Sequence, residues 1–141
     1  MASSIPKTYR KEITDALALE TLKVALFTST GWAYSATNIA HATYTQVAAL
    51  FTEVSSIGTG YTTGGVALAT TSDYIGANNE TALRATATAI ATATFTCRYA
   101  VVYRDSDKKI RAVVDLGGDI PVASGTMTIT WDATNGIIKI A

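Results

Sequence analysis

Cysteine and histidine are almost missing from this sequence: Cys97 and His41 are each the only one of their kind among 141 residues. A lone cysteine makes no internal disulfide and no cysteine-based zinc cluster. A lone histidine far from it removes the usual parts of most transition-metal sites and of histidine-based acid–base schemes, although carboxylate chemistry survives that cut. Neither charge is in excess, since eleven Lys plus Arg balance eleven Asp plus Glu. The electrostatic footprint of a protein that holds DNA, RNA or an anionic membrane by bulk charge is therefore lacking, and neither nucleic acid nor a membrane is expected as a partner. Long apolar runs are missing too. No segment is long enough to span a membrane, and the first twenty residues, MASSIPKTYRKEITDALALE, contain no signal-peptide core.

What the chain does have is small and β-branched residues, 24 Thr and 24 Ala. Threonine suits a pleated, half-buried surface, and small side chains let flat surfaces approach closely, which predicts a β-rich protein built to pack against something. With 48% hydrophobic and 16% charged residues, the chain has the balance of one compact domain. A chain of this length buries roughly 68% of its unfolded surface, enough for stability without disulfide or metal.

Residues 1–8 carry Ser, Pro and Lys with no period and read as a flexible N-terminal arm; residues 9–141 read as a single β-rich domain. Tyr9, Ile13 and Leu17 recur at four-residue spacing between polar residues and predict a short amphipathic helix. Residues 21–28, TLKVALFT, alternate as a first core strand. A loop displaying Trp32 and Tyr34 follows. Tyr44, Val47, Leu50, Phe51 and Val54 then mark a second helical face, with Thr43 and Gln46 spaced for a capping box at its start. Gly64-Gly65 predicts a turn or bulge between short strands.

From residue 83 to 102 a two-residue period places Ala85, Ala87, Ala89, Ala91, Ala93, Phe95, Cys97 and Tyr99 on one face of a single long strand. Thr86, Thr88, Ile90, Thr92, Thr94 and Thr96 fall on the other. Residues 105–108 read as a hairpin turn, Gly117-Gly118-Asp119 as a break in the next strand, and Asn135-Gly136 as the turn of a last hairpin joining residues 126–131 to 136–140. The pattern is mainly β: a single-domain antiparallel β-sandwich or barrel with one or two short helices in the N-terminal half.

Candidate chemistry is sparse. The glycines at 58, 60, 64 and 65 resemble a phosphate cradle only superficially, because a β run follows instead of Lys-Ser/Thr and a helix. Asp105 and Asp107 lack the Gly and closing Glu of a calcium loop. Glu53, Asp115, Asp119 and Asp132 are acids of the type a glycosidase pair needs, yet nothing in the sequence brings two of them together. Asn79-Glu80-Thr81 fits a glycosylation pattern and reads as incidental without a secretion signal. His41 reads as a loop or surface residue and Cys97 as a buried, inert thiol. No catalytic, cofactor-binding or metal-binding residue is expected, and no cofactor.

Three blocks, TLKVALFTS, GTGYTTGGVALA and RYAVVYRD followed by VVDLGGDIPVASGTMTITWDATNGIIKIA, occur in an order that resembles a family of small tailed-bacteriophage virion proteins described as capsid decoration, cement or head-fibre proteins. Gly58, Gly60, Tyr61, Gly64 and Gly65 match that family's glycine-tyrosine turn, and Thr130, Trp131, Asp132, Asn135 and Gly136 its terminal hairpin. The resemblance implies a virion structural protein, most simply a decoration protein on the outer capsid surface, with the major capsid protein and further copies of itself, as a homotrimer, for partners. Ile5, Pro6, Tyr9 and Arg10 of the arm, and Trp32 and Tyr34 of the loop, are the candidate partner interface, since apolar anchors beside a charged donor suit docking. The alternative is a head-fibre or tail-associated module whose Trp32 and Tyr34 contact host glycan.

Overall fold

Strand β1 (Leu22–Phe27) lies inside a four-stranded antiparallel sheet, flanked by β2 (Val66–Leu68) and β5 (Thr88–Arg104), and β5 pairs on its other side with β6 (Ile110–Ile129). A second antiparallel sheet holds β3 (Thr70–Ile75), β4 (Glu80–Ala85) and β7 (Ile138–Ile140) in the order β3-β4-β7. The computed structural model describes residues 5–75 and 80–140. Residues 1–4 of the expected arm, Asn79 of the glycosylation pattern and Ala141 lie outside the described residues. The fold is mainly β and sandwich-like rather than a closed barrel, with helices α1 (Lys7–Ala18) and α2 (Tyr44–Leu50) in the N-terminal half.

Alternation along β1 puts Leu22, Val24 and Leu26 into the main core, where they meet Leu68, Leu83, Cys97 and Val102. Ala25 and Phe27 point the other way, into a second core with Val47, Val101 and Tyr103. All residues of this strand but the half-buried Lys23 are buried, and each such Leu, Val or Phe contributes on the order of 1.5–3 kcal/mol relative to an exposed position. Helix α2 covers the second core. Its start is the expected capping box: Thr43 Oγ1 accepts from the Gln46 N–H and Gln46 Oε1 accepts from the Thr43 N–H.

Helix α1 covers the spacing from Tyr9 but begins at Lys7, so Lys7 and Thr8 of the expected arm are helical, and a different face turns inward. Thr14 is fully buried and Leu17 packs on the main core, whereas Tyr9 stays 55% exposed. The reason is the polar surface that meets it. Thr81 Oγ1 donates to the Arg10 carbonyl (3.2 Å), Thr70 Oγ1 to the Ala18 carbonyl (3.4 Å), and Lys11 Nζ to Ser72 Oγ (2.7 Å). The sheet's hydroxyls thus meet main-chain carbonyls of the helix, while the buried Thr14 hydroxyl is satisfied within the helix, its Oγ1 donating to the Arg10 (3.3 Å) and Lys11 (3.0 Å) carbonyls.

Three β expectations are corrected. The single strand over residues 83–102 is two strands in different sheets, β4 and β5, with residues 86 and 87 between them. The inward face also changes sides: Thr88 and Ile90 are buried, then Ala93 and Cys97. A bulge centred on Thr92, with φ 52°, inserts the extra residue that moves the parity. Gly60 packs directly on it, where a Cβ would lie 2.6 Å from the Thr92 carbonyl oxygen.

The Gly117-Gly118-Asp119 break is absent. Strand β6 runs through it for 20 residues, absorbing residues 116–119 as a wide bulge between the pairs Tyr99–Asp115 and Cys97–Ile120. The last hairpin does not form either. The Asn135-Gly136 turn is real, closed by the Gly136 N–H on the Asp132 carbonyl (2.9 Å), but β7 pairs with β4 and not with β6. The turn carries the chain from one sheet to the other.

Candidate functional site

The six residues expected at a partner interface fall into two separate groups. Ile5 (47% exposed), Pro6 and Tyr9 stand on the outer side of α1 at its N-terminal end, where the Lys7 ammonium lies 4.5 Å from the ring centroid of Tyr74, itself 40% exposed. Arg10 is half-buried, with its carbonyl held by Thr81. Trp32 and Tyr34 belong to the second core, on the opposite face of the four-stranded sheet from the core that α1 joins.

Trp32 is no displayed platform. Its ring stacks on Tyr99 at 4.3 Å and 11°, and further contacts tie it to Phe51 (4.9 Å), Phe27 (5.4 Å) and Tyr34 (6.0 Å). Tyr34 continues the row onto His41 at 5.6 Å, and burial pushes its phenol pKa up. Such rings supply packing energy to the sheet face beneath them, with edge and stacked pairs adding about 0.5–1.5 kcal/mol each beyond area burial.

The acids considered for catalysis are each engaged by other partners. Glu53, bridged to Phe27 across the strand end, accepts from Tyr44 Oη, Tyr61 Oη and the Gly64 N–H, all at 2.7 Å. Tyr61 Oη also accepts from the Leu26 N–H (2.9 Å), and Tyr103 Oη donates to the Gly64 carbonyl (2.5 Å). Burial first, and the Glu53 carboxylate second, push the Tyr61 and Tyr44 phenols far up; burial, with the charges of Asp105 and Glu53, pushes Tyr103 up to about 12. These tyrosines stay protonated and act as donors. The cluster pins the Gly64-Gly65 turn against β1.

Asp115 pairs with Arg98 (3.2 Å), Asp119 accepts from Ser29 Oγ (3.2 Å), and Asp132 accepts from the N–H groups of Thr134 and Asn135 in its own turn. Among the described residues, no group of three or more His, Cys, Asp and Glu is arranged to hold a metal ion.

No family model, no curated protein and no solved structure matches this chain.

Cys97 is fully buried with its Sγ 3.8 Å from Met127 Sδ, and burial raises the thiol to about 11, as its place on an apolar strand face suggested. His41 corrects the sequence reading. It is 8% exposed, the last residue of a short 3-10 turn (Ile39–His41), and it packs between Tyr34 and Phe51. Beside it a surface cleft of about 280 Å3 is lined by Tyr34, Asn38, Ile39, His41, Ala42 and Ile110, among others. The sequence signal for that cleft is weak: Asn38, a good N-cap type, stands three residues before the only histidine.

Proposed function

We infer that the protein is a structural component of a tailed-phage virion, seated as a decoration protein on the outer surface of the capsid lattice. The resemblance of its three ordered blocks supplies the class. The structural observation that supports the reading is the exposure of apolar side chains near the start of α1: Ile5 and Tyr9 are 47% and 55% exposed, and Tyr74, whose ring lies 4.5 Å from the Lys7 ammonium, is 40% exposed. Exposed aromatic and aliphatic anchors beside cations are the composition of a docking surface rather than of a solvated one.

The mechanism is cementing: the anchors bury surface across neighbouring capsid subunits, and binding to the assembled state alone stabilises it by mass action. Capsids present threefold and quasi-threefold positions, so a homotrimer repeats one set of contacts at each site. Major capsid protein and self are the partners. The glycan-contacting alternative is weaker, because Trp32 is engaged by Tyr99, Phe51 and Phe27 rather than offered to a sugar.

Replacing the exposed anchors, Ile5→Ser with Tyr9→Ser, is expected to abolish co-sedimentation of the purified chain with undecorated capsids while leaving the β-sheet circular dichroism intact, because neither side chain is buried. Unchanged co-sedimentation would move the contact elsewhere. Copy number in purified virions, by quantitative mass spectrometry, is expected to be roughly equimolar with the major capsid protein. A few copies per particle would instead place the chain at the neck, tail or vertices.

A further inference from the structure

The cleft beside the 3-10 turn contains a hydrogen-bonding mismatch. His41 Nδ1 accepts from the Ser35 N–H at 2.9 Å, and because a main-chain N–H only donates, the ring proton sits on Nε2. The group facing Nε2, at 3.4 Å, is the Asn38 Nδ2 amide, since Asn38 Oδ1 is occupied by the Ala40 N–H (2.9 Å) as the cap of the turn. Two donors therefore face each other with no acceptor between them. Turning the amide over would exchange the 2.9 Å cap bond for a longer contact of 3.4 Å and leave the exposed Ala40 N–H to water, so the cap favours the orientation with the amide nitrogen toward Nε2. Asn38 is exposed, so water can take up its amide donor, whereas His41 is 8% exposed and its Nε2 proton gains most from an acceptor placed between the two.

Both donors belong to residues that line the 280 Å3 cleft, whose remaining walls are Ala36, Ala42, Ile39 and Ile110 with Tyr34 and Thr37. We propose that this cleft binds an acetamido group, its carbonyl oxygen accepting from His41 Nε2 and Asn38 Nδ2 and its methyl packing on the alanine and isoleucine walls. No charged side chain lines the cleft. A carboxylate would lose its hydration there without a counter-charge, whereas a neutral carbonyl needs only the two donors. The volume is slightly below the roughly 300 Å3 at which whole small-molecule sites begin, which suits one such headgroup and not a long chain. An N-acetylated amino sugar and an acetylated lysine side chain both carry this chemistry. The site is separate from the α1 surface and goes beyond the role inferred from it.

The test is a titration of the 15N-labelled full chain with N-acetylglucosamine, with a blocked acetyl-lysine, and with glucose and acetate as controls, followed by amide shifts and by saturation transfer to ligand protons. Saturable shifts confined to residues 34–42, with the strongest transfer to the acetyl methyl, are expected from at least one of the two acetamido ligands. Which of the two binds more tightly distinguishes sugar from peptide. Asn38→Asp keeps the cap but presents an acceptor to His41 Nε2, so it should weaken binding at least tenfold while raising the thermal midpoint; Ala42→Phe should abolish binding by filling the cleft. Shifts absent with both acetamido ligands, unchanged in Asn38→Asp, or larger with acetate or glucose would overturn the proposal.

Discussion

At Glu53 one carboxylate accepts from three donors, two phenols and a main-chain N–H. Removing it leaves the Tyr44 and Tyr61 hydroxyls and the Gly64 N–H without their acceptor in a partly buried cluster, and bonds to charged groups contribute about 1.5–3 kcal/mol. Glu53→Ala is therefore expected to cost about 3 kcal/mol of unfolding free energy in urea denaturation, with Glu53→Gln intermediate because one oxygen remains. A loss below about 0.5 kcal/mol, the range of ordinary surface substitutions, would show that the cluster is not a structural clamp. The acid was visible in the sequence, but its three partners lie 8 to 11 positions away on segments with no shared period. Pairwise spacing finds acids that act through one helix face or one strand face, and this cluster uses neither.

Turns show how far local chemistry reaches at the scale of elements. The Thr43–Gln46 box, the core strand at 22–27, the turn at 105–107 and the Gly64-Gly65 turn all form where residue types predict, because each depends on contacts within a few positions. Gly65 has an added constraint: with φ 79°, a Cβ would lie 1.9 Å from the Val24 carbonyl oxygen, whereas Gly58, at φ 68°, has open space. Gly65→Ala should leave the chain insoluble or unfolded by circular dichroism, and Gly58→Ala should cost only the conformational strain of about 1–3 kcal/mol. Equal effects would mean that the turn moves freely against β1. The longer strands were less legible. The Thr/Ala period over residues 83–102 is nearly uninterrupted, so it hides both the change of sheet at 86–87 and the parity shift at Thr92, which the distant Gly60 accommodates. The partner of β7 was hidden for a similar reason: a good Asn-Gly turn predicts a hairpin, and only the inter-sheet packing decides that the chain crosses over.

At the scale of the whole molecule the end of the helix is tied to the four-stranded sheet by Glu20, which joins Arg104 of β5 (3.0 Å) and Arg111 of β6 (2.7 Å) just beyond α1. The Arg111 hydrogen bond, with the charges of Arg111 and Arg104, holds its carboxyl below the ordinary 4.5, against the opposing effect of burial. The unfolded chain titrates near 4.5, so this contribution is complete above that pH and is lost as the pH falls through the lower folded value. The thermal midpoint of the natural chain should therefore drop more steeply below pH 4.5 than that of Glu20→Gln, and parallel curves would remove Glu20 from acid sensitivity. Strand β1 has a different consequence, in time rather than energy. Its Leu22 pairs with Leu68 on one side and Arg104 on the other. At about 5–20 residues per second of synthesis, Arg104 follows Leu22 by roughly 4–16 s, during which the apolar LKVALF segment waits with at least one open edge. Such a segment is a template for pairing with a neighbouring nascent chain. The yield of folded protein should thus depend on how crowded and how warm the cell is while the second half of the chain is being made.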